Sequence, residues 1–129
     1  MPVWIDKAVV LIWHNELLAE HGGAPGVRDE GLLESALARP RNLHAYSEQS
    51  PSLFRLAAAY AGGILRNHPF IDGNKRTALV VAIAFLELNS VTFSAPQQET
   101  HLTFLELAAR RVSESKFASW LQRHSVPLE

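Results

Sequence analysis

Nine consecutive residues, His68 to Arg76, read HPFIDGNKR and place an imidazole, a carboxylate, an amide and two cations in one short stretch. That set of groups suits the handling of phosphate. Gly73 permits backbone conformations closed to other residues, so the amides of Gly73, Asn74 and Lys75 can turn inward as an anion-binding nest. A helix is expected to begin here, and its dipole adds partial positive charge. Arg76 offers a fork of donors matching two phosphate oxygens, while Lys75 supplies a compact point charge. Asp72 is a hard oxygen ligand of the kind that Mg²⁺ takes beside nucleotide phosphates, and His68 can accept a proton from an attacking hydroxyl. Phe70 is expected to anchor the loop to a core. A D-G-N turn with flanking charges is also ordinary loop chemistry. The crowding of every polar group ahead of an apolar helix, where solubility does not require them, favours an anion site.

The elements that must position this loop are helical by periodicity. Asp6 caps a first helix, with Ile5 and Val10 spaced as a hydrophobic staple, an apolar stripe of Val10, Trp13 and Leu17, and a stop at Gly22-Gly23. Ala24 to Asp29 reads as a loop, Leu32 to Leu37 as a short helix ended by Pro40, and Arg39 to Gln49 as a surface loop or flap. Ser50-Pro51 reads as a helix start whose apolar face is Leu53, Leu56, Tyr60 and Ile64, ending at Asn67 or His68 before Pro69. The next helix runs from about Asn74 to Asn89. Its stretch ALVVAIAFL is apolar on all sides, which predicts a central helix surrounded by the others. Val91 to Phe93 reads as a short extended piece, Ser94 with Gln97 as a capping box for a helix through Val112, and Ser113 as the cap of a last helix carrying Phe117, Trp120 and Leu121. The expected fold is all-α: a bundle of five or six helices in one domain, residues 1–129, with a central buried helix after the HPFIDGNKR loop.

Composition narrows the function. Twelve Lys and Arg against thirteen Asp and Glu give no excess charge for non-specific attraction to nucleic acid or anionic membranes. The absence of cysteine excludes disulfides, thiolate metal sites and cysteine nucleophiles. The longest apolar run, Ala78 to Leu86, is half of the ~20 residues that span a bilayer, and the N-terminus does not look like a secretion signal. A soluble, cytoplasmic protein is expected. His14, His21, His44, His101 and His124 are scattered without metal-site spacing and read as surface or cap residues. Glu16, Glu20 and Glu34 read as solvated charges.

The nine-residue segment matches throughout the H-x-F-x-[DN]-x-N-K-R signature of the Doc (death on curing) toxins, the small branch of the Fic/Doc superfamily. EHGGAPGVRDEGLLESALARP and LAAAYAGGILRNHPF also resemble that family's ordinary sequence, so the likeness covers most of the chain. The resemblance implies a Fic-type helical bundle. It places the active-site histidine on His68, the essential acidic residue associated with Mg²⁺ on Asp72, and phosphate-binding residues on Asn74, Lys75 and Arg76. Arg66 stands where Doc proteins often carry an arginine two positions before the histidine, although a helix-terminal arginine also compensates the dipole. The family's target-aligning flap falls on Arg39 to Tyr46, which makes Arg39 and Tyr46 candidate target contacts; a plain exposed loop is the other reading.

Fic proteins proper carry H-P-F-x-x-G-N-G-R-x-x-R and transfer AMP. Here Lys75 replaces the second glycine and Leu79 the second arginine, and both departures weaken adenylylation. The resemblance to Doc instead implies a protein kinase that uses ATP and Mg²⁺, modifies a threonine of the translation factor EF-Tu and arrests protein synthesis. Self-restraining Fic proteins carry [ST]-x-x-x-E-[GN]; the only Glu followed by Gly or Asn here is Glu30-Gly31, with Gly26 where a hydroxyl belongs. Inhibition is therefore expected from a separate antitoxin similar to the Phd (prevent host death) family, docking in an apolar groove to which Trp4, Trp13, Phe117 and Trp120 are candidate contributors. A Fic-type adenylyltransferase and a non-catalytic helical binding module remain the alternatives.

Overall fold

The computed structural model describes residues 1–127, in which six helices and one small antiparallel sheet follow in chain order. These are α1 (Lys7–His21), α2 (Glu30–Tyr46), α3 (Leu53–Asn67), α4 (Asn74–Leu88), β1 (Val91–Phe93), α5 (Gln97–Ala108), α6 (Glu114–Arg123) and β2 (Ser125–Pro127). The fold is all-α as expected. The sequence reading lacked only β2, which pairs with β1 so that Thr92 lies opposite Val126. No helix among the described residues is long and apolar enough to cross a membrane.

The central helix is α3, not α4 as the apolar run suggested. All nine residues from Leu56 to Ile64 are buried, and α3 packs on α2, α4, α5 and α6. A helix enclosed on every side must let its neighbours' backbones approach, and LAAAYAGGI supplies small side chains for this. A Cβ at Gly63 would stand 3.0 Å from the Ala36 carbonyl oxygen of α2. Helix α4 is two-sided instead: Thr77, Ala78, Val81, Ala82, Phe85 and Leu86 are buried, while Leu79, Val80 and Ile83 are half-buried and Leu88 is exposed.

Helix α2 runs through Pro40 to Tyr46, so the expected stop at proline and the surface loop from Arg39 do not occur. Proline removes one helical bond, that to the Ala36 carbonyl, at a cost of about 3 kcal/mol. Leu33, Ala36, Leu37 and Pro40 are all buried, and the packing of this face against α3 offsets that cost. Other boundaries moved by local capping. Ser52 rather than Ser50 caps α3, accepting from the Arg55 amide at 3.1 Å. The Ser94–Gln97 capping box is absent; α5 starts after Pro96, with Thr100 Oγ1 donating to the Pro96 carbonyl, and ends at Ala108. Asp6 stands at the N-cap of α1 without a side-chain hydrogen bond. Ser113 caps α6 as expected. Phe117 and Trp120 lie in the core and are removed from any docking groove, whereas Trp4 and Trp13 are half-buried.

The N-terminal arm is tied to this core. Asn89 exchanges hydrogen bonds with both backbone groups of Val3, Trp4 stacks on Phe85, and the buried Tyr60 hydroxyl accepts from the Ile5 amide at 3.1 Å. Burial pushes the Tyr60 phenol above its ordinary value of 10.0. A proton held more tightly in the folded state gives a contribution that is full below the unfolded value and declines as pH climbs past it. Tyr60→Phe, which strands the Ile5 amide, is expected to lower the unfolding free energy in urea by about 1–2 kcal/mol at neutral pH. Above about pH 10 the parent should lose stability more steeply than the variant; parallel curves would show that Tyr60 does not set the alkaline limb.

Candidate functional site

The HPFIDGNKR loop is a reversal between two buried helices. Helix α3 closes on His68, held in the left-handed region at φ 46° with its amide donating to the Ile64 carbonyl, and Pro69 then forbids continuation. Gly73, at φ 79°, opens α4. Between them Phe70 drops into the core with 1% of its surface exposed. Asn74 fixes this geometry: its Oδ1 accepts from the Phe70 amide and its Nδ2 donates to the Phe70 carbonyl, each at 3.0 Å.

A second layer holds the loop from outside. Residues 26–28 pair with it in antiparallel fashion, Ile71 N–H donating to the Gly26 carbonyl and Arg28 N–H to that of Pro69. The Arg28 guanidinium donates to the last carbonyls of α3, those of Asn67 and His68, both at 2.8 Å. This is charge-assisted capping of a helix C-terminus. The Asn67 side chain donates to the Leu32 carbonyl of α2. From α1, His14 stacks on Phe70 with ring centroids 3.8 Å apart, and its Nε2 lies 2.8 Å from the Asp72 carbonyl. A carbonyl only accepts, so Nε2 carries the proton.

His14 is therefore not the surface or cap residue that its isolation in sequence suggested; it is 2% exposed. The signal was there: His14 lies four residues beyond Val10 and shares its face. Arg28 was missed as well, and no local pattern marks it, because its partners are forty residues away.

The groups left over face solvent. His68, Lys75 and Arg76 are exposed, their side chains without a hydrogen bond or ion pair among the described residues. The amides of Asn74, Lys75 and Arg76 precede the first bond into α4, from Thr77 N–H to the Gly73 carbonyl, and have no hydrogen-bond partner among the described residues, as at any helix start. The Gly73 amide is taken by Asp72 Oδ1 at 2.8 Å, and Asp72 Oδ2 accepts from Ala24 N–H at 3.2 Å. Each carboxylate oxygen keeps a lone pair, so exposed Asp72 suits a hard cation that draws its other ligands from phosphate and water. Of the expected phosphate binders, Asn74 has only its backbone amide to offer. Gly23 and Gly26 fit closely here: a Cβ on Gly23 would meet Asp72 Oδ2 at 2.8 Å, and one on Gly26 would meet Ile71 at 3.0 Å.

Three candidates lie apart from this cluster. Arg39 is in α2 and pairs with Glu114 at 2.7 Å, also donating to the Ala59 carbonyl. Tyr46 ends α2 and is 85% exposed. Arg66, in the last turn of α3, is exposed and lies 3.5 Å from Glu114. Asn74→Ala would leave the buried Phe70 amide and carbonyl unpaired, and is expected to destabilise the protein by about 2–4 kcal/mol in chemical denaturation. A loss within the range of an exposed-site substitution would show that Asn74 does not clasp the loop.

The Fic/DOC family model matches residues 4–86, which contain the whole loop, all of α3 and all but the last two residues of α4. "Protein kinase doc" of Escherichia phage P1 is 36% identical over 119 residues, covering 92% of this chain and 93% of that protein. "Toxin Doc" of Mycolicibacterium smegmatis (strain ATCC 700084 / mc(2)155) is 45% identical over 74 residues, 57% of each chain, so the match spans a little over half of that relative. With the family model covering well over half of its length and the signature loop built as described, this chain belongs to the Fic/DOC family.

Proposed function

We infer that this protein is a Doc-type toxin and protein kinase that transfers the γ-phosphate of ATP to a hydroxyl of another protein. The observation that carries this reading is the division of labour in the loop. Asn74, Phe70 and His14 close it, while the side chains of His68, Lys75 and Arg76 stay exposed and the first amides of α4 have no hydrogen-bond partner among the described residues, beside the Asp72 carboxylate. Phosphoryl transfer needs little covalent help from a protein and depends on positioning and charge neutralisation. The amides and the two cations hold phosphate oxygens. Asp72 would hold Mg²⁺ together with phosphate oxygens and water, and the ion would supply neutralisation of the phosphate charge. His68 takes the proton of the target hydroxyl.

Kinase chemistry is favoured over AMP transfer by two residues. Lys75 places a long side chain where AMP-transferring relatives carry glycine, and Leu79 is half-buried against the core where they carry a second arginine. The name of the phage relative supports the same reaction class. The reading extends to a cytoplasmic protein, to EF-Tu as the target with arrest of translation, and to a Phd-like antitoxin as the source of inhibition. Exposed Tyr46 is the better target contact of the two named from sequence, since Arg39 is engaged by Glu114.

The test uses purified protein, Mg²⁺, a lysate containing elongation factors, and ATP labelled separately on the γ- and α-phosphates. Protein-bound label is expected from the γ-position alone and should fall about a hundredfold or more in His68→Ala. Label from the α-position would establish nucleotidyl transfer instead. No label from either, with the parent protein folded, would favour a non-catalytic module.

A further inference from the structure

We propose that the cavity bordered by α3, α5 and α6 is a second anion site, built for a phosphate-bearing small molecule and partly filled by the protein's own Glu114. Its volume is about 390 Å³, within the range of small-molecule sites. No residue of the HPFIDGNKR loop lines it. Arg39 from α2, Arg55 and Arg66 from α3 and Arg110 from the turn after α5 do, around Glu114 at the start of α6.

Among the described residues that line it, four guanidinium groups stand against one carboxylate, which leaves three positive charges uncompensated there. Glu114, with only 13% of its side chain exposed, is committed to Arg39 and lies at the long distance of 3.5 Å from Arg66. Arg55 and Arg110 have no ion pair among the described residues, and Arg55 Nη1 is buried without a hydrogen-bond partner there. A buried guanidinium nitrogen with nothing to donate to is costly, and gathering like charges adds to that cost. An acceptor entering the cavity relieves both. The first turn of the ten-residue α6 contributes Ser115 to the lining, with the helix dipole behind it.

The chemistry of the walls selects the ligand. Guanidinium forks match pairs of phosphate oxygens, and the surplus charge suits a dianion better than a second single carboxylate. Leu65, Leu107 and Val112 supply an apolar wall for an organic body. The chain's net charge of −1 gives no field to draw a nucleic acid there. Glu114 occupies the anion position in the free protein, pressed so closely on α3 that a Cβ at Gly62 would collide with its carboxylate. An arriving phosphate competes with it for Arg39 and Arg66.

The test is calorimetric titration of pyrophosphate, without divalent cations, into the full chain carrying Lys75→Ala and Arg76→Ala, which strips the signature loop of its cations. Binding is expected to survive in this background and to weaken about tenfold on adding Arg110→Ala, an exposed position that leaves the core intact. Glu114→Gln, which keeps the shape and removes the competing charge, should tighten it. The Gly62 and Ser115 amide resonances should move during the titration while that of Gly73 stays fixed. Adenosine monophosphate binding more tightly than pyrophosphate would identify a phosphorylated organic molecule as the occupant; the reverse order would identify a free inorganic anion at the same arginines. Loss of binding in the Lys75, Arg76 background, indifference to Arg110→Ala, equal binding of succinate, or weakening by Glu114→Gln would each overturn the proposal.

Discussion

The clasp of Asn74 on the Phe70 backbone is the constraint from which the rest of the site follows. Two buried helices must be joined by a reversal short enough to keep them adjacent, and a tight reversal leaves backbone groups with no helical partner. The Asn74 side chain absorbs one amide and one carbonyl, which lets Phe70 enter the core without stranding its own peptide groups. With Phe70 fixed, His14 has a surface to stack on and the Asp72 carbonyl a donor. The two helix ends are then treated unequally. The carbonyl end of α3 is closed by Arg28, whereas the amide end of α4 is left open beside two cations. An unpaired amide end next to a closed carbonyl end is the arrangement that suits an anion.

How much of this was legible depends on the range of the interaction concerned. The loop's composition, the end of α3 at Asn67 and the cap at Ser113 depend on residues within a few positions of one another, and each was readable. Pro40 shows where local rules fail: in isolation proline ends a helix, yet the buried face it shares with Leu33 and Leu37 outweighs one lost bond. The choice of central helix failed for a related reason. Hydrophobicity identified α4, but enclosure on all sides selects small residues over large ones, and Ala57 to Gly63 met that condition with a less apolar sequence.

The supporting shell was illegible for a geometric reason. Arg28, His14, Glu114 and Ala24 each reach their partners across dozens of residues, and nothing nearby in the chain marks the encounter. The resemblance in the signature could name which residues are candidates for phosphate. It could not show that Asn74 is spent on the backbone or that Asp72 already accepts from Gly73 and Ala24. Nor could it show that Arg39, expected on a flap, would be drawn into an ion pair.

Net charge proved a guide to long-range attraction only. Six of the chain's twelve cations, Arg39, Arg55, Arg66, Lys75, Arg76 and Arg110, stand in two places, the open start of α4 and the cavity beside α6. Among the described residues, Asp72 in the first place and Glu114 in the second offset only part of that charge. Screening over about 8 Å at physiological ionic strength means that such local surpluses act on whatever is already docked and add little to distant steering. Under the proposed function, selectivity for phosphate rests on helix amides and guanidinium forks that are positioned before any ligand arrives. Arg66 shows how sequence distance and placement part company: only two residues before His68 in the chain, it lines the cavity beside α6 and lies 3.5 Å from Glu114 there.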